Sequence, residues 1–146
     1  MQLVYVLLAL VAGMLMPVQA GINSQLKNQV LSTEAAAFVS FAVGTLALGV
    51  YLALRRLPLP LAAAMGQTSW WMWTGGLLGA FFVAATVYLA YKLGAGTMMG
   101  LIIAGQLSAA ILLDHYALLG FPPHPVSWQR LLGAALLAAG AILIRR

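Results

Sequence analysis

From Leu3 to Ala20 the chain runs eighteen residues without a charge, and Gln19 is the one amide among them. A stretch of that length and character is long enough to cross a bilayer as a helix. Such stretches recur to the end of the chain, so 64% of its 146 residues are hydrophobic and only 6% are charged. Soluble domains carry about 25% charged residues. A domain of this size buries only part of the surface its chain exposes, so water is the wrong solvent for this composition. At about 20 residues per span plus short connections, the length leaves room for roughly five helices.

The breaks between runs set the expected boundaries. The polar stretch Asn23 to Gln29 closes the first helix, and Ser32-Thr33-Glu34 supplies a cap and an early acid for the second. The second helix stops at Arg55-Arg56, and Leu57-Pro58-Leu59-Pro60 reads as an extended linker. Trp70, Trp71 and Trp73 open the third helix, and Tyr88, Tyr91 and Lys92 close it, as interfacial aromatics do. Gly94 and Gly96 permit a reversal into the fourth, which Pro122, Pro123 and Pro125 end. Ser127 caps the fifth. The expectation is an all-α membrane protein, a single transmembrane domain over 1–146, with helices over about 2–29, 34–54, 70–91, 97–119 and 128–144. Val18-Gln19-Ala20 has the form of a signal-peptidase site, but the residues before it lack the Lys or Arg of a signal peptide.

The net charge of +5 comes from seven scattered cations. They form no run and no basic face, which argues against nucleic acid as a partner. Without cysteine, disulfides, thiolate metal sites and thiol catalysis are excluded. No HExxH, GxSxG or phosphate-binding loop is present, so neither an enzyme nor a cofactor is expected. His115 and His124 flank the proline-rich loop and make a poor metal site without further ligands.

With five spans, Arg55, Arg56 and Arg130 fall on the N-terminal side, and Lys27, Lys92, Arg145 and Arg146 on the other. Three against four is too even for the positive-inside rule to fix an orientation. Insertion both ways would give an antiparallel homodimer with the symmetry of an inverted-repeat transporter. The alternatives are one orientation with a weak bias, or pairing with a different chain.

Polar side chains within spans are costly and seldom idle. Met16, Gln19 and Asn23 share one face of the first helix, beside Pro17 and the carbonyl it frees. Gln106 lies near the middle of the fourth helix with Ser108 close by, and must either join helices or line a polar cavity. Asp114 and His115 offer a proton or cation coupling site. The competing reading of Asp114 is an interfacial carboxylate in a salt bridge with Arg130. Trp71 is a candidate pocket residue, although belt placement is the commoner use of tryptophan. Gly75 and Gly79, Gly96 and Gly100, and Gly133 and Gly140 are small-residue pairs suited to close helix or dimer packing.

Several segments together resemble the YdcZ-like five-helix proteins of the drug/metabolite transporter superfamily. They are Gly13-Met14-Leu15-Met16-Pro17-Val18-Gln19 with Asn23, Ser40-Phe41-Ala42-Val43-Gly44-Thr45, Trp71 followed by Gly75-Gly76-Leu77-Leu78-Gly79, Gly105-Gln106-Leu107-Ser108, Asp114-His115, and Arg130-Leu131-Leu132-Gly133 with Gly140. They occur in the same order from end to end. One departure is Gln67-Thr68 ahead of the tryptophans. Larger members of that superfamily look like two fused five-helix halves in inverted orientation. The resemblance implies a half-transporter in the cell (inner) membrane, acting as a dimer on a small organic metabolite or drug-like compound. It gives added weight to Gln19, Asn23, Gln106 and Asp114, and it names no substrate.

Two functions follow from these residues. A secondary transporter, expected to be an exporter, would hold a polar cavity between helices one, three and four. A non-transport accessory or scaffold subunit would bury the same polar residues in helix contacts. The near balance of cations gives the first prediction. Cysteines introduced near Met1 and Arg146 of this cysteine-free chain should each label from both sides of the membrane in comparable amounts. Labelling from one side alone would eliminate the antiparallel homodimer.

Overall fold

In hydrocarbon no water is available to backbone amides and carbonyls, so an apolar chain must close its hydrogen bonds within helices. The computed structural model, which describes residues 2–144, does this with six α-helices. These are α1 (Gln2–Val30), α2 (Thr33–Leu54), α3 (Leu61–Gln67), α4 (Gly75–Leu93), α5 (Ala95–His115) and α6 (Trp128–Ile144). Two 3-10 helices, Trp70–Thr74 and Leu118–Gly120, lie between them. Four stretches are long and apolar enough to cross a membrane: Gln2–Val30, Thr33–Leu54, Trp70–Leu93 and Ala95–His115. The apolar helix α6 has 17 residues, about 26 Å at 1.5 Å per residue. Arg145 and Arg146, counted above among the cations of one side, lie outside the described residues.

The chain forms two compact units that divide between Tyr88 and Leu89. In the first, α1 and α2 pack against each other. Only Leu31 and Ser32 separate them, so they run antiparallel. Leu31 takes a left-handed conformation, φ 62°, at a position where helices usually end in glycine. Ser32 is extended, and its hydroxyl accepts from the Ala35 amide at 2.9 Å, the cap expected of this residue. The buried residues of the hairpin are small: Ala20 and Asn23 on α1, Ala36 and Ala37 on α2. Most of the rest faces outward, and only 6% of the most apolar window of α1 or of α2 is buried. Such surface is stable against lipid.

Two boundaries differ from expectation in this unit. The stretch after Pro60 is helical, because Leu61-Ala62-Ala63-Ala64-Met65 is a run of good helix formers behind a proline that contributes its carbonyl to the Ala64 amide at 2.9 Å. The tryptophans form a 3-10 turn before α4 begins at Gly75. On α4, Val83, Thr86 and Val87 form the buried face at helical spacing.

In the second unit, α5 and α6 pack antiparallel. A Cβ on Gly96 would lie 3.3 Å from Ile144 Cγ2, and one on Gly100 would lie 2.8 Å from Ala141 Cβ. At the other end of the pair Asp114 meets Arg130. The fourth expected helix, drawn to residue 119, ends instead at His115. Ala117 and Leu119 are left-handed, φ 49° and 55°, and the turn Leu118–Gly120 leads into the prolines.

Glycine placement generates a prediction. Added Cβ atoms at Gly75, Gly133 and Gly140 would meet nothing within 4 Å, whereas one at Gly100 would overlap buried Ala141. Gly100→Ala should therefore be less stable than Gly133→Ala by about 1–3 kcal/mol, the cost of overpacking. Both gain the same helix propensity, so thermal unfolding in detergent isolates the packing difference. Equal midpoints would show that α5 and α6 are not in contact at Gly100.

Candidate functional site

Within α1 the peptide nitrogen of Pro17 cannot donate to the Gly13 carbonyl, yet the helix continues unbroken from Gln2 to Val30. Gln19 and Asn23 stand one and two turns beyond Met16, on the same side of the helix. Asn23 is buried, 4% exposed, and its Nδ2 donates to the Ser40 hydroxyl of α2 at 3.2 Å. Gln19 is exposed. The antiparallel hairpin leaves a groove of about 410 Å³ on this side, lined by Met16, Gln19 and Asn23 from α1 and by Val39, Ser40 and Val43 from α2, among others. A second groove of about 230 Å³ shares Gln19 and Ser40 and adds Gly44 and Thr45. Thus three of the candidate residues, Met16, Gln19 and Asn23, share one groove wall, and Gln19 borders both hollows.

Ser40 and Thr45 were not singled out from sequence as site residues. Both lie in the Ser40 to Thr45 segment that carried part of the resemblance, and a serine within an otherwise apolar span was the available signal. A third hollow of about 420 Å³, mostly apolar, lies along α2 and α4, with Glu34 on its lining together with Phe38, Phe41 and Phe81. Phe41 reaches across to Gly79, where an added Cβ would meet its Cζ at 3.2 Å. Glu34 had been read only as a charge in the first turn of a helix.

The remaining candidates are placed separately. Trp71 is 44% exposed in the 3-10 turn, where its carbonyl accepts from the Thr74 hydroxyl at 2.7 Å. Gln106, the twelfth of the 21 residues of α5, is exposed. Ser108 donates back to the Ala104 carbonyl at 2.8 Å and borders a smaller hollow with Ile111 and Val126. Asp114 forms a salt bridge with Arg130, whose other guanidinium nitrogen donates to the His124 carbonyl at 2.7 Å. The Asp114 carbonyl accepts the His124 amide at 2.9 Å, and His115 Nδ1 accepts the Val126 amide at 3.2 Å. Asp114, His115 and Arg130 together hold the proline-rich loop against the ends of α5 and α6.

Over residues 4–143 the sequence matches the family described as "Putative inner membrane exporter, YdcZ". The chain belongs to the DMT_YdcZ family. It is 34% identical over 82 residues to the inner membrane protein YdcZ of Escherichia coli (strain K12), a stretch covering 56% of this chain and 54% of that protein. The match therefore spans about half the length of that relative. No solved structure matches the chain. With its long apolar helices, this DMT_YdcZ protein is a multi-pass protein of the inner membrane. Both grooves around Gln19 fall within the family match.

The Asn23–Ser40 bond can be tested by a double-mutant cycle. Asn23→Ala and Ser40→Ala should each destabilise the α1–α2 hairpin, with a coupling of about 0.6 kcal/mol, the average for side-chain hydrogen bonds between membrane helices. Unfolding in a mixed-detergent titration reads it. A coupling of zero would show that the two side chains do not bond.

Proposed function

We infer that this protein is a secondary transporter that exports a small organic compound, and that it works as a dimer. The observation that supports this best is the Gln19 groove. It sets an exposed amide, with no side-chain hydrogen bond among the described residues, at the edge of a mostly apolar hollow of about 410 Å³. Small-molecule sites combine an apolar lining with a few placed polar groups in this way. The volume suits a small metabolite or drug-like molecule. Gln19 would bond the substrate's polar group, Asn23 and Ser40 would hold the wall in register, and Met16 would adapt to shape.

The accessory-subunit reading requires the polar side chains of the spans to be consumed in helix contacts. Asn23 is, but Gln19 and Gln106 are not, and this favours transport. Two copies in opposite orientation would supply the ten helices of an inverted-repeat transporter, and the near balance of cations on the two sides supports that arrangement. Trp71 and Ser108 stay in the proposal as lining residues of the assembled dimer. For Asp114 and His115 the ion pair with Arg130 favours a tether for the loop over proton coupling.

The test is transport by the purified chain alone, in proteoliposomes, against a panel of small organic compounds. For any compound moved, Gln19→Leu should raise the half-saturating concentration about tenfold, the value of one substrate hydrogen bond. An unchanged value would make the groove a packing surface. Transport of nothing by this chain alone, with transport restored by a related five-helix chain, would replace the homodimer with a heterodimer.

A further inference from the structure

Residues 55–69 join two of the candidate spans, Thr33–Leu54 and Trp70–Leu93. Non-helical backbone is excluded from lipid. Helix α3, seven residues long, reaches only about 10 Å. The segment cannot recross the bilayer, so the end of α2 and the tryptophans of the 3-10 turn meet the same membrane surface.

No residue of α3 is buried within the chain, and Leu61 and Met65 are well exposed. A helix this short is not stable on its own in water, so its apolar surface needs cover. The segment is nonetheless built as a unit. The Thr68 hydroxyl donates to the Ala64 carbonyl at 2.8 Å, and the Trp73 indole donates to the same hydroxyl at 2.9 Å. These bonds tie the 3-10 turn to the end of α3 and fix one indole, while Trp70 stands 79% exposed.

Charge supplies the second half of the case. Arg55 and Arg56 are both exposed at the end of α2. The chain has two acidic residues. Asp114 is bonded to Arg130. Glu34 lies in the first turn of α2, about 31 Å along the helix from Arg55. Among the described residues neither acid pairs with Arg55 or Arg56, which leaves the arginine pair open to an anion from outside the chain. Indoles and guanidinium groups at the ends of spans sit at headgroup depth, and guanidinium binds phosphate with paired hydrogen bonds.

We propose that residues 55–74 form a membrane-surface foot that binds anionic phospholipid headgroups, with Arg55 and Arg56 on the phosphate and α3 and the Trp70–Trp73 turn seated at the boundary with the acyl chains. The proposal rests on the chain's place in the membrane and is independent of what it transports.

The experiment uses the full chain carrying Trp128→Phe, so that Trp70, Trp71 and Trp73 are its only tryptophans and can be excited selectively at the red edge of the band. It is reconstituted in phosphatidylcholine bilayers containing brominated phosphatidylglycerol or brominated phosphatidylcholine. Bromines placed near the headgroup should quench more than bromines deep in the chain, and the anionic lipid should quench more than the zwitterionic one. Each of Arg55→Gln and Arg56→Gln should reduce that lipid preference about fivefold, whereas Arg55→Lys with Arg56→Lys should keep most of it. Tryptophans quenched by neither lipid, being in water or covered by another protein chain, would overturn the proposal. So would a preference that survives both Gln substitutions in variants of native helix content, or one that inorganic phosphate removes at constant ionic strength.

Discussion

The need to satisfy every backbone polar group without water determines this structure before any side chain does. It removes extended strands and open loops from the apolar runs and leaves helices joined at the surface. The hydrophobic effect then does not hold the helices together, since lipid tails solvate leucine as well as another helix does. What remains is close approach and hydrogen bonding. Both are visible here: Gly100 lies against Ala141 in one unit, and the Asn23 amide bonds Ser40 in the other.

The same constraint sorts the polar side chains into two groups. Asn23, Ser108 and Thr86 find acceptors within the chain, and Asp114 finds Arg130. Gln19 and Gln106 do not, although each lies within a candidate span. An amide facing hydrocarbon is too costly to stand without a partner. These two positions are therefore where substrate, water or another chain is expected. The groove beside Gln19 gives that expectation a shape.

Much of this was legible in the sequence because hydropathy and capping are local signals. Apolar runs fixed the long helices, Ser32 marked the start of α2, and Met16, Gln19 and Asn23 fell on one face through helical spacing alone. What was not legible depended on partners distant in the chain. Ser40 matters because it stands opposite Asn23, and spacing within one helix cannot reveal that. Of the six packing glycines, Gly79, Gly96 and Gly100 lie against other helices, whereas Gly75, Gly133 and Gly140 have no neighbour within reach. Gly75 and Gly79 belong to one GxxxG pair, and only the facing residue distinguishes them. Helix α3 was missed for a local reason, since Pro58 and Pro60 mask the helix-forming run that follows.

The Asp114–Arg130 pair leaves the orientation balance unchanged. In the arrangement expected for five spans, the folded pair cancels one cation of the side assigned Arg55 and Arg56. Glu34, in the first turn of α2, likewise cancels one cation of the side assigned Lys27 and Lys92, so a net-charge count lowers both sides equally. Orientation, in any case, is set during insertion by lysines and arginines near span ends, and acids contribute little to it. The pair joins residues 16 positions apart on two different helices, so it forms only after both are in place. It stabilises either orientation equally, because it belongs to the fold and not to the side of the membrane. For five spans the expected cation count consequently stays at three against four, the near balance on which the proposal of an antiparallel pair rests.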